Sequence, residues 1–472
     1  MSTPELQTNL AVVGAGPGGY PAAFHAADLG LSVVLIERDA APGGVCLHRG
    51  CIPSKALLHA ANLVQDAREA AARVTFAAPA IDLERLRAWK QSVTAGLTTG
   101  LTALTRQRGI TWLQGEATLL DAQTLQVRAP DGAATVVRFE HAILATGSEP
   151  VWPSFLPPRS AALVDSSGAL DLARLPETML VLGGGYIGLE LGQVYAAFGT
   201  RVSVVEKMPS LLPGVDPDLV GVLAARVQAQ CQEVMLGTRV VEVREDGSQV
   251  LAVLEGSDGQ RRERRYEQVL VAVGRRPVTA GLGLETTRVQ VTPQGFIAVD
   301  EQRRTAEPSL LAIGDVAGAP MLAHKATHEG RAAVEALHDG KTVYAPRAIP
   351  AVVFTDPEIA WCGLSEDEAR RQGLNVRCGT FPWQASGRAA TLGRRDGLAK
   401  IVAETDSGRI LGVGIAGPGA GELIGEGVLA IEMGAVAEDL ALTIHAHPSL
   451  SETLMEAAER VLGQSTHWFQ RL

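Results

Sequence analysis

The chain has 472 residues, of which 46% are hydrophobic and 20% charged, and its formal net charge is −10. Its length and composition indicate an ordinary globular protein of about three domains. The negative charge argues against a nucleic-acid partner, which would need a basic face, and we predict none. Glutamates and Pro418 interrupt the apolar segment 413–446, so we also predict no membrane span.

Cysteine usage indicates the compartment. Five cysteines occur without an export signal, since residues 1–9 lack both a basic region and an apolar stretch. We therefore expect a reducing compartment, most simply the cytoplasm, where a disulfide is more often catalytic than structural. Cys231, Cys362 and Cys378 stand singly and supply no second pair for a zinc site, so no metal is predicted.

The first predicted element is an apolar strand, residues 10–13, that runs into a glycine-rich loop, residues 14–19. A helix to about residue 29 and a second strand, which ends at Glu37, follow. In a dinucleotide-binding fold the first glycine makes the tight turn, the second admits a pyrophosphate and the third allows close helix–strand packing. Glu37 would accept hydrogen bonds from a ribose diol; a solvated carboxylate at a strand end is the alternative.

Two cysteines lie five positions apart in the segment GGVCLHRGCIPSK, residues 43–55. If Pro53 is the first helical residue, Cys51 lies at or just before a helix N-terminus, where the helix dipole favours a thiolate. Two buried free cysteines are the alternative, but the flanking glycines indicate a tight, defined backbone path. We predict that Cys46 and Cys51 form a redox-active pair that passes electrons to a bound cofactor.

The strand–loop–helix pattern recurs downstream. A strand over residues 179–182 runs into the glycine loop 183–188, and a helix and a strand ending at Glu206 follow. In both copies the acidic residue lies 23 positions after the first glycine, and this matched context makes each motif stronger than a lone GxGxxG. The second copy predicts a second dinucleotide site. Glu206 favours NAD, because a carboxylate repels the 2′-phosphate of NADP.

Three further apolar runs predict short buried strands, residues 141–147, 269–273 and 310–315. The first two are expected to close the two nucleotide-binding domains. Asp315, at the end of the third, could hold a polyol hydroxyl or act as a turn or N-cap residue. From about residue 346, shorter strands and then helices predict a domain for packing or dimerisation.

The segment His445-Ala446-His447-Pro448-Ser449-Leu450-Ser451-Glu452 permits two interpretations. Ser449 and Glu452 match a capping box that would start the last helix, which leaves the histidines as loop residues. Alternatively, Glu452 orients the His447 imidazole, which then moves protons for a thiol substrate. Residue chemistry alone does not separate the two.

Together these motifs resemble the flavin-dependent pyridine-nucleotide disulfide oxidoreductases of class I, over essentially the whole chain. The resemblance implies an α/β fold with two Rossmann-like dinucleotide-binding domains plus a C-terminal α+β dimerisation domain. The implied limits are 1–149 for an FAD-binding domain, 150–277 for an NAD-binding domain, 278–346 for a central domain that completes the FAD site and 347–472 for an interface domain. The motifs that carry the resemblance are residues 14–19, 46–55, 145–147, 183–190, 314–315, 321–326 and 445–448.

The resemblance also implies roles for single residues. Cys46 would be the outer, interchange sulfur and Cys51 the sulfur that faces the flavin. Lys55 would reach the flavin and pair with Glu190, and Tyr186 would cover the nicotinamide pocket. The implied contacts to FAD and NAD are made by Gly14, Gly16, Gly19, Glu37, Lys55, Ala117, Thr146, Gly147, Asp315, Ala323, Gly183, Gly185, Tyr186, Gly188, Glu206 and Gly274.

The implied reaction is the oxidation of protein-bound dihydrolipoamide to lipoamide with reduction of NAD+, through a Cys46–Cys51 disulfide and FAD. His447, oriented by Glu452, would take a thiol proton, and the resulting thiolate would attack Cys46. Pro448 would fix the approach of the imidazole through a cis peptide bond. One departure from the family pattern lies between the two cysteines, where His48-Arg49 replaces the more usual Asn-Val.

The resemblance implies partners as well. It predicts a homodimer in which His447 and Glu452 complete the site of the other subunit. It also predicts service to a 2-oxo acid dehydrogenase complex, with the lipoyl domain and the subunit-binding domain of the acyltransferase as binding partners.

Three other functions fit part of the pattern. A low-molecular-weight disulfide reductase of the same family would usually take NADPH, which Glu206 opposes. A mercuric reductase would carry a C-terminal cysteine pair, which residues 467–472 lack. A flavin-binding structural subunit without turnover would need neither the cysteine pair nor the His–Glu pair.

Overall fold

The structure is a computed structural model that describes residues 4–75 and 77–468. Residues 1–3 of the segment searched for an export signal, and residues 469–472 of the C-terminal segment, lie outside the described residues. The chain divides into two compact units. The first takes the chain up to Ala56, Asp82–Val151 and Gly274–Ala345, and the second takes Leu57–Ile81, Trp152–Val273 and the chain from Pro346. The four-domain division therefore stays a prediction.

Strands and helices alternate through most of the described chain. The strands are β1 (Glu5–Val13), β2 (Val33–Glu37), β3 (Thr111–Gln114), β4 (Glu116–Asp121), β5 (Thr124–Arg128), β6 (Ala134–Leu144), β7 (Ser148–Pro150), β8 (Leu163–Val164), β9 (Thr178–Leu182), β10 (Arg201–Val205), β11 (Glu233–Met235), β12 (Arg239–Asp246), β13 (Gln249–Glu255), β14 (Arg261–Tyr266), β15 (Gln268–Val271), β16 (Arg275–Pro277), β17 (Leu310–Ala312), β18 (Ala351–Val353), β19 (Ile359–Gly363), β20 (Val376–Pro382), β21 (Leu398–Glu404) and β22 (Ile410–Ala416). The helices are α1 (Gly19–Asp28), α2 (Gly44–Arg49), α3 (Cys51–Ala70), α4 (Leu83–Gln107), α5 (Ser166–Leu170), α6 (Tyr186–Ala197), α7 (Pro217–Gln230), α8 (Ala323–Asp339), α9 (Glu366–Arg371), α10 (Gly387–Leu392), α11 (Ala420–Met433), α12 (Ala437–Leu442) and α13 (Glu452–Val461). Three 3-10 turns cover Leu284–Thr286, Gly314–Val316 and Trp383–Ala385.

The first unit is built on a sheet in the order β3-β2-β1-β6-β5-β4, with β17 paired to β6. The pairs β1–β2, β1–β6, β2–β3 and β6–β17 are parallel, whereas β4, β5 and β6 pair antiparallel. All five residues of β2 are buried, as expected for a parallel strand covered on both faces. The carboxyl ends of β1 and β2 thus carry the first glycine loop and Glu37 on one edge, the usual ligand-binding edge of such a sheet.

The second unit contains a parallel sheet in the order β11-β10-β9-β15-β8, which repeats the strand–loop–helix arrangement of the first. It also contains the antiparallel sheet β12-β13-β14 and the antiparallel sheet β18-β19-β22-β21-β20. Helices α11, α12 and α13 follow the last sheet, and α11 and α13 pack against its buried core. From about residue 346 the sequence predicted that the nucleotide-binding pattern gives way to short strands and then to helices. The order of the elements confirms this prediction.

The predicted α/β fold is also confirmed, and the element limits differ from the expected ones by a few residues. Strand β1 extends beyond the predicted residues 10–13, because its first half pairs with β6. Helix α3 begins at Cys51 rather than at Pro53. Of the helices in the described ranges, none has an apolar run long enough to cross a membrane.

Candidate active site

The first glycine loop has the shape required for a dinucleotide. Gly14 has φ +98°, and a Cβ there would lie 2.3 Å from the Ala145 carbonyl oxygen. A Cβ at Gly19 would lie 1.7 Å from the Gly14 oxygen, so helix α1 starts in contact with the turn. A Cβ at Gly16 would have room, because its nearest neighbour would be the Gly44 Cα at 3.8 Å. The first and third positions are filled by backbone and the second is open, which fits the approach of a pyrophosphate.

Glu37 lies at the end of β2 beside this loop and is buried. Its Oε2 accepts a hydrogen bond from the Ala15 amide at 2.8 Å, and its Oε1 accepts one from the Asp39 amide at 3.2 Å. Two backbone donors thus fix the orientation of the carboxylate, and its remaining lone pairs can accept ribose hydroxyls.

The cysteine pair lies at the junction of two helices. Cys46 lies in α2 and Cys51 is the first residue of α3, and both are free thiols. The hydrogen bond that the Cys46 thiol donates to Cys51, together with burial, raises the pKa of Cys46 well above its ordinary value, and the nearby Lys55 charge opposes this only in part. The structure therefore brings the two predicted redox sulfurs together.

Helix α2 starts in direct contact with the first glycine loop. The Gly43 amide donates to the Ala15 carbonyl oxygen at 2.8 Å. A Cβ at Gly44 would lie 2.6 Å from the Gly16 Cα, so only glycine permits this approach. The cysteine pair is thereby held next to the loop that would bind the FAD pyrophosphate.

Asp315 lies in the 3-10 turn after β17 and accepts a hydrogen bond from the Ser148 hydroxyl at 2.5 Å. Ser148 is in turn held by Arg275, whose Nε lies 2.7 Å from the hydroxyl oxygen and whose Nη2 lies 2.6 Å from the carbonyl oxygen. The Thr146 hydroxyl donates to the Val278 carbonyl oxygen. These contacts define the position of the carboxylate that was predicted to bind a polyol.

A buried charge cluster that the sequence did not indicate supports the same turn. Glu329 is fully buried and accepts the Gly314 amide at 2.6 Å. It also pairs with Lys325 and Arg303, both at 3.0 Å. Lys325 and Glu329 are four residues apart on α8, and this i,i+4 spacing is the one signal that could have been recognised. The approach of Arg303 depends on the fold.

The remaining residues predicted to contact FAD have defined places in the first unit. Ala117 is a buried residue of β4, and Ala323 is the first residue of α8. Gly147 and Gly274 have positive φ values of +71° and +125°, in the turns after β6 and β15. Contacts of these four residues with a cofactor stay predictions.

The second glycine loop repeats the geometry of the first. Gly183 has φ +108° and its Cβ would meet the Ala272 oxygen at 2.4 Å, while a Cβ at Gly188 would meet the Gly183 oxygen at 2.3 Å. No atom lies within 4 Å of a Cβ at Gly185. Glu206 is buried and accepts the Gly184 amide at 2.7 Å and the Met208 amide at 2.8 Å. Two loops of one shape, each with a fixed carboxylate, fit two dinucleotides.

Helix α6, which follows the second loop, carries two further predicted residues. Tyr186 is its first residue and is 40% exposed, and its place over a nicotinamide pocket stays a prediction. Glu190 is buried one turn later, and its Oε1 accepts the Phe354 amide at 3.0 Å. Lys55 belongs to the first unit and Glu190 to the second, so their pairing stays a prediction.

His447 and Glu452 form the predicted pair. The His447 Nδ1 and the Glu452 Oε1 lie 2.9 Å apart, and the imidazole side chain is 77% exposed. Burial alone would raise the pKa of Glu452, but hydrogen bonds from the Ser449 amide and from His447 outweigh it and hold this pKa below its usual range. The His447–Pro448 peptide bond is cis, as the sequence suggested.

The capping-box interpretation is wrong in part. Helix α13 begins at Glu452 after Ser451, and the Ser449 hydroxyl bonds to the Ser451 hydroxyl instead of a helix amide. Of the two reciprocal hydrogen bonds that make a capping box, only the one to the glutamate is formed here: the Glu452 Oε2 accepts the Ser449 amide at 2.7 Å. The two interpretations are therefore compatible, because one carboxylate oxygen holds the loop and the other orients the imidazole.

Comparisons with known proteins agree with this geometry. Residues 8–330 match the family model described as pyridine nucleotide-disulphide oxidoreductase, and residues 349–458 match the dimerisation domain of that family. The chain is 45% identical to a protein of Haemophilus influenzae named dihydrolipoyl dehydrogenase, over 98% of this chain and 96% of that protein. A protein of the same name from Thermus scotoductus is also 45% identical, over 98% of this chain and 99% of its own length.

Solved structures resemble the whole chain as well. The crystal structure of LpdA from Mycobacterium tuberculosis matches with a TM-score of 0.89 at 28% identity, over 96% of this chain and 99% of that one. The Cu(II) complex of the HOCl-induced flavoprotein disulfide reductase RclA from Escherichia coli matches with a TM-score of 0.86 at 27% identity, over 97% and 99%. With two family models covering most of its length and relatives at 45% identity, the chain belongs to the pyridine nucleotide-disulphide oxidoreductase family.

Proposed function

We propose that the chain acts as a dihydrolipoyl dehydrogenase, which oxidises protein-bound dihydrolipoamide to lipoamide and reduces NAD+. The observation that carries this proposal is the hydrogen-bonded Cys46–Cys51 dithiol beside the first nucleotide loop. Relatives named dihydrolipoyl dehydrogenase cover 98% of the chain and support the same substrate.

The two loops divide the cofactors between them. We assign FAD to the loop of Gly14, Gly16 and Gly19, because the cysteine helix packs against this loop. NAD is assigned to the loop of Gly183, Gly185 and Gly188. Bound FAD would supply the two-electron transfer between the dithiol and NAD+. Glu206 is buried and held by two backbone donors, so a 2′-phosphate at this position would meet a negative charge.

Proton handling falls to His447. A carboxylate accepts only, so the ring nitrogen facing Glu452 carries the hydrogen, and Nε2 keeps a lone pair for a substrate thiol proton. The resulting substrate thiolate would attack Cys46 of the oxidised pair, form a mixed disulfide and release Cys51 as a thiolate. The second substrate thiolate would then close lipoamide and release Cys46. The raised pKa of Cys46 supports its role as the sulfur that ends with the proton.

We propose a homodimer in which His447 and Glu452 of one subunit serve the cysteines of the other. The matched dimerisation domain supports the dimer. Large apolar side chains in α11, α12 and the loop that follows are exposed in the single chain and would be covered by a partner, namely Leu429, Met433, Leu442 and Ile444. By the same function, the dimer would bind the lipoyl domain and the subunit-binding domain of a 2-oxo acid dehydrogenase acyltransferase. Its free cysteines suit the cytoplasm.

Anaerobic titration tests the proposed function. The FAD-loaded protein is titrated in one arm with dihydrolipoamide and in the other with NADH, and the flavin absorbance is followed in both. We expect both reductants to give the same two-electron-reduced species, with a long-wavelength thiolate–flavin absorbance, and NAD+ to reoxidise it. If NADH reduces the protein and dihydrolipoamide leaves its spectrum unchanged, the substrate assignment is wrong.

A further inference from the structure

His48 and Arg49, the two residues that depart from the usual family pattern between the cysteines, both contact the segment that precedes helix α2. The Arg49 Nη2 lies 2.7 Å from the Asp39 Oδ2, and the two side chains are 37% and 27% exposed. The His48 Nε2 lies 3.1 Å from the Pro42 carbonyl oxygen, to which it must donate. The six-residue helix that carries Cys46 is therefore fastened at its C-terminal end to the loop after β2.

These contacts close a hydrogen-bonded circuit that includes the first nucleotide loop. The Ala15 amide donates to Glu37, and the second oxygen of Glu37 accepts the Asp39 amide. Asp39 then pairs with Arg49 in α2. The circuit returns to its start through the amide of Gly43, which donates to the Ala15 carbonyl oxygen. In this closed circuit, the Arg49–Asp39 pair is the one link between side chains.

The ends of α2 show why this link matters. Gly43 and Gly50 flank the helix with φ values of +132° and −146°, and no side chain caps its N-terminal end. A Cβ at Gly50 would lie 2.9 Å from the Val45 carbonyl oxygen, so the junction with α3 is tight. Besides this link, the short helix is held by the Leu47 side chain, which is buried over Gly43, by the His48–Pro42 hydrogen bond and by the contact of Gly43 and Gly44 with the first glycine loop. The position of Cys46 relative to Cys51 thus depends on what fastens α2.

We propose that Arg49 is a positioning residue, which fastens α2 to Asp39 and thereby favours the disulfide form of the Cys46–Cys51 pair over the dithiol. In the disulfide form the S–S bond already ties α2 to α3. In the dithiol form α2 gains freedom, and the Arg49–Asp39 pair removes much of it. Because the Arg49–Asp39 pair already restricts α2 in the dithiol form, less conformational entropy is lost when the S–S bond closes. The pair therefore raises the stability of the disulfide relative to the dithiol.

The experiment equilibrates FAD-loaded protein with mixtures of reduced and oxidised dithiothreitol. The Cys46–Cys51 bond breaks and each sulfur gains a hydrogen, while dithiothreitol loses two thiol hydrogens and closes its own S–S bond. Acid quenching, alkylation and mass measurement give the fraction of each form. This readout uses neither dihydrolipoamide nor turnover. The inference rests on the proposed redox pair. Because the readout does not involve the substrate, the inference can fail while the substrate assignment holds, and the substrate assignment can fail while the inference holds.

We expect Arg49→Met to shift the equilibrium about fivefold toward the dithiol, the upper range for a partly exposed ion pair. A fivefold shift corresponds to a potential about 20 mV less negative. Asp39→Asn should shift it in the same direction, and Arg49→Lys should recover most of the effect. The matched control is Arg108→Met, which breaks the Arg108–Asp28 pair elsewhere in the same unit and should leave the equilibrium unchanged.

Asp39→Asn removes the other partner of the Arg49–Asp39 pair, so the proposal can still be tested if the Arg49→Met protein does not fold. An equilibrium within twofold of wild type in the folded variants, or a shift toward the disulfide, would overturn the proposal. An equal shift in Arg108→Met would overturn it too, because the effect would then belong to general loosening of the unit.

Discussion

Replacing Glu452 by glutamine removes the negative charge and keeps the size and shape of the side chain. The carboxylate accepts from the His447 ring through one oxygen at 2.9 Å and from the Ser449 amide through the other at 2.7 Å. Glutamine offers one carbonyl oxygen and one NH2 group, so it can accept from only one of these donors. In one orientation its NH2 group faces the Ser449 amide, which is a donor, and the anchor of the loop is lost. In the other orientation its NH2 group faces the His447 Nδ1, which can accept only when the ring hydrogen is on Nε2, so Nε2 loses the lone pair that a base needs.

The size of the loss follows from the kind of bond. A hydrogen bond to a charged group contributes about 1.5–3 kcal/mol. Because the His447 side chain is 77% exposed, water replaces part of it, and we expect the lower end of this range. About 1.5 kcal/mol corresponds to roughly a tenfold fall in kcat/KM for dihydrolipoamide. Glu452→Ala removes both bonds and should cost on the order of a hundredfold.

The assay compares two reactions of the same protein. On the proposed mechanism, dihydrolipoamide oxidation by NAD+ needs the His–Glu pair, whereas NADH-dependent reduction of ferricyanide bypasses the dithiol substrate and should be unchanged in Glu452→Gln. Glu459→Gln removes a charge from the same helix, where Glu459 accepts the Thr466 amide, and serves as the control. Our reasoning is refuted if Glu452→Gln keeps full dihydrolipoamide turnover, or if ferricyanide reduction falls in parallel.

The lowered pKa of Glu452 adds a pH dependence. A carboxylate whose folded-state pKa is depressed adds stability above its ordinary pKa, about 4.3, and this contribution is lost as the pH falls through the folded value. Wild type should therefore be more stable than Glu452→Gln at neutral pH, and the two should converge in acid. Urea unfolding at neutral pH and at about pH 3 measures this. A stability difference that persists undiminished in acid would contradict the assignment of the charge.

Three further outcomes are expected. Cys51→Ser should retain FAD but lose both lipoamide turnover and the long-wavelength absorbance on partial reduction, and a variant that keeps both would remove Cys51 from its assigned role. NAD should be preferred over NADP by on the order of a hundredfold in kcat/KM, because Glu206 repels a 2′-phosphate, and equal efficiencies would place that carboxylate away from the ribose. Glu329→Gln leaves the buried Lys325 and the partly buried Arg303 without their anion, so thermal unfolding should show a loss of about 3–5 kcal/mol, whereas a loss below about 1 kcal/mol would mean that water compensates the cluster.

The sequence predicts the two nucleotide loops well because their function depends on local spacing. Gly14 and Gly183 must adopt positive φ, and the glycines that follow them leave room for phosphate, so the motif itself encodes the shape. The acidic residue at the end of the next strand is equally local, since strand and helix lengths fix its distance from the loop. The start of α3 was less well predicted, because proline is tolerated throughout the first turn of a helix and does not mark its first residue.

The rest could not be read from the sequence because it depends on which segments the fold brings together. Arg303 approaches Glu329 over 26 positions and Arg49 approaches Asp39 over 10, and no periodicity announces either contact. The Ser449 hydroxyl illustrates a different limit. Its spacing to Glu452 matches a capping box, but Ser451 competes for it, and only the structure shows which partner it takes.

Subunit complementation tests the central claim most directly, that the cysteine pair of one subunit and the His447–Glu452 pair of the other form one catalytic site. Cys46→Ser and His447→Gln proteins, each inactive alone, are mixed and exchanged, and heterodimers are verified by mass. One of the two sites in each heterodimer then has both wild-type partners, so random exchange of equal amounts should restore about a quarter of wild-type activity. If heterodimers form and the mixture stays inactive, the two pairs do not act across subunits and the account is wrong.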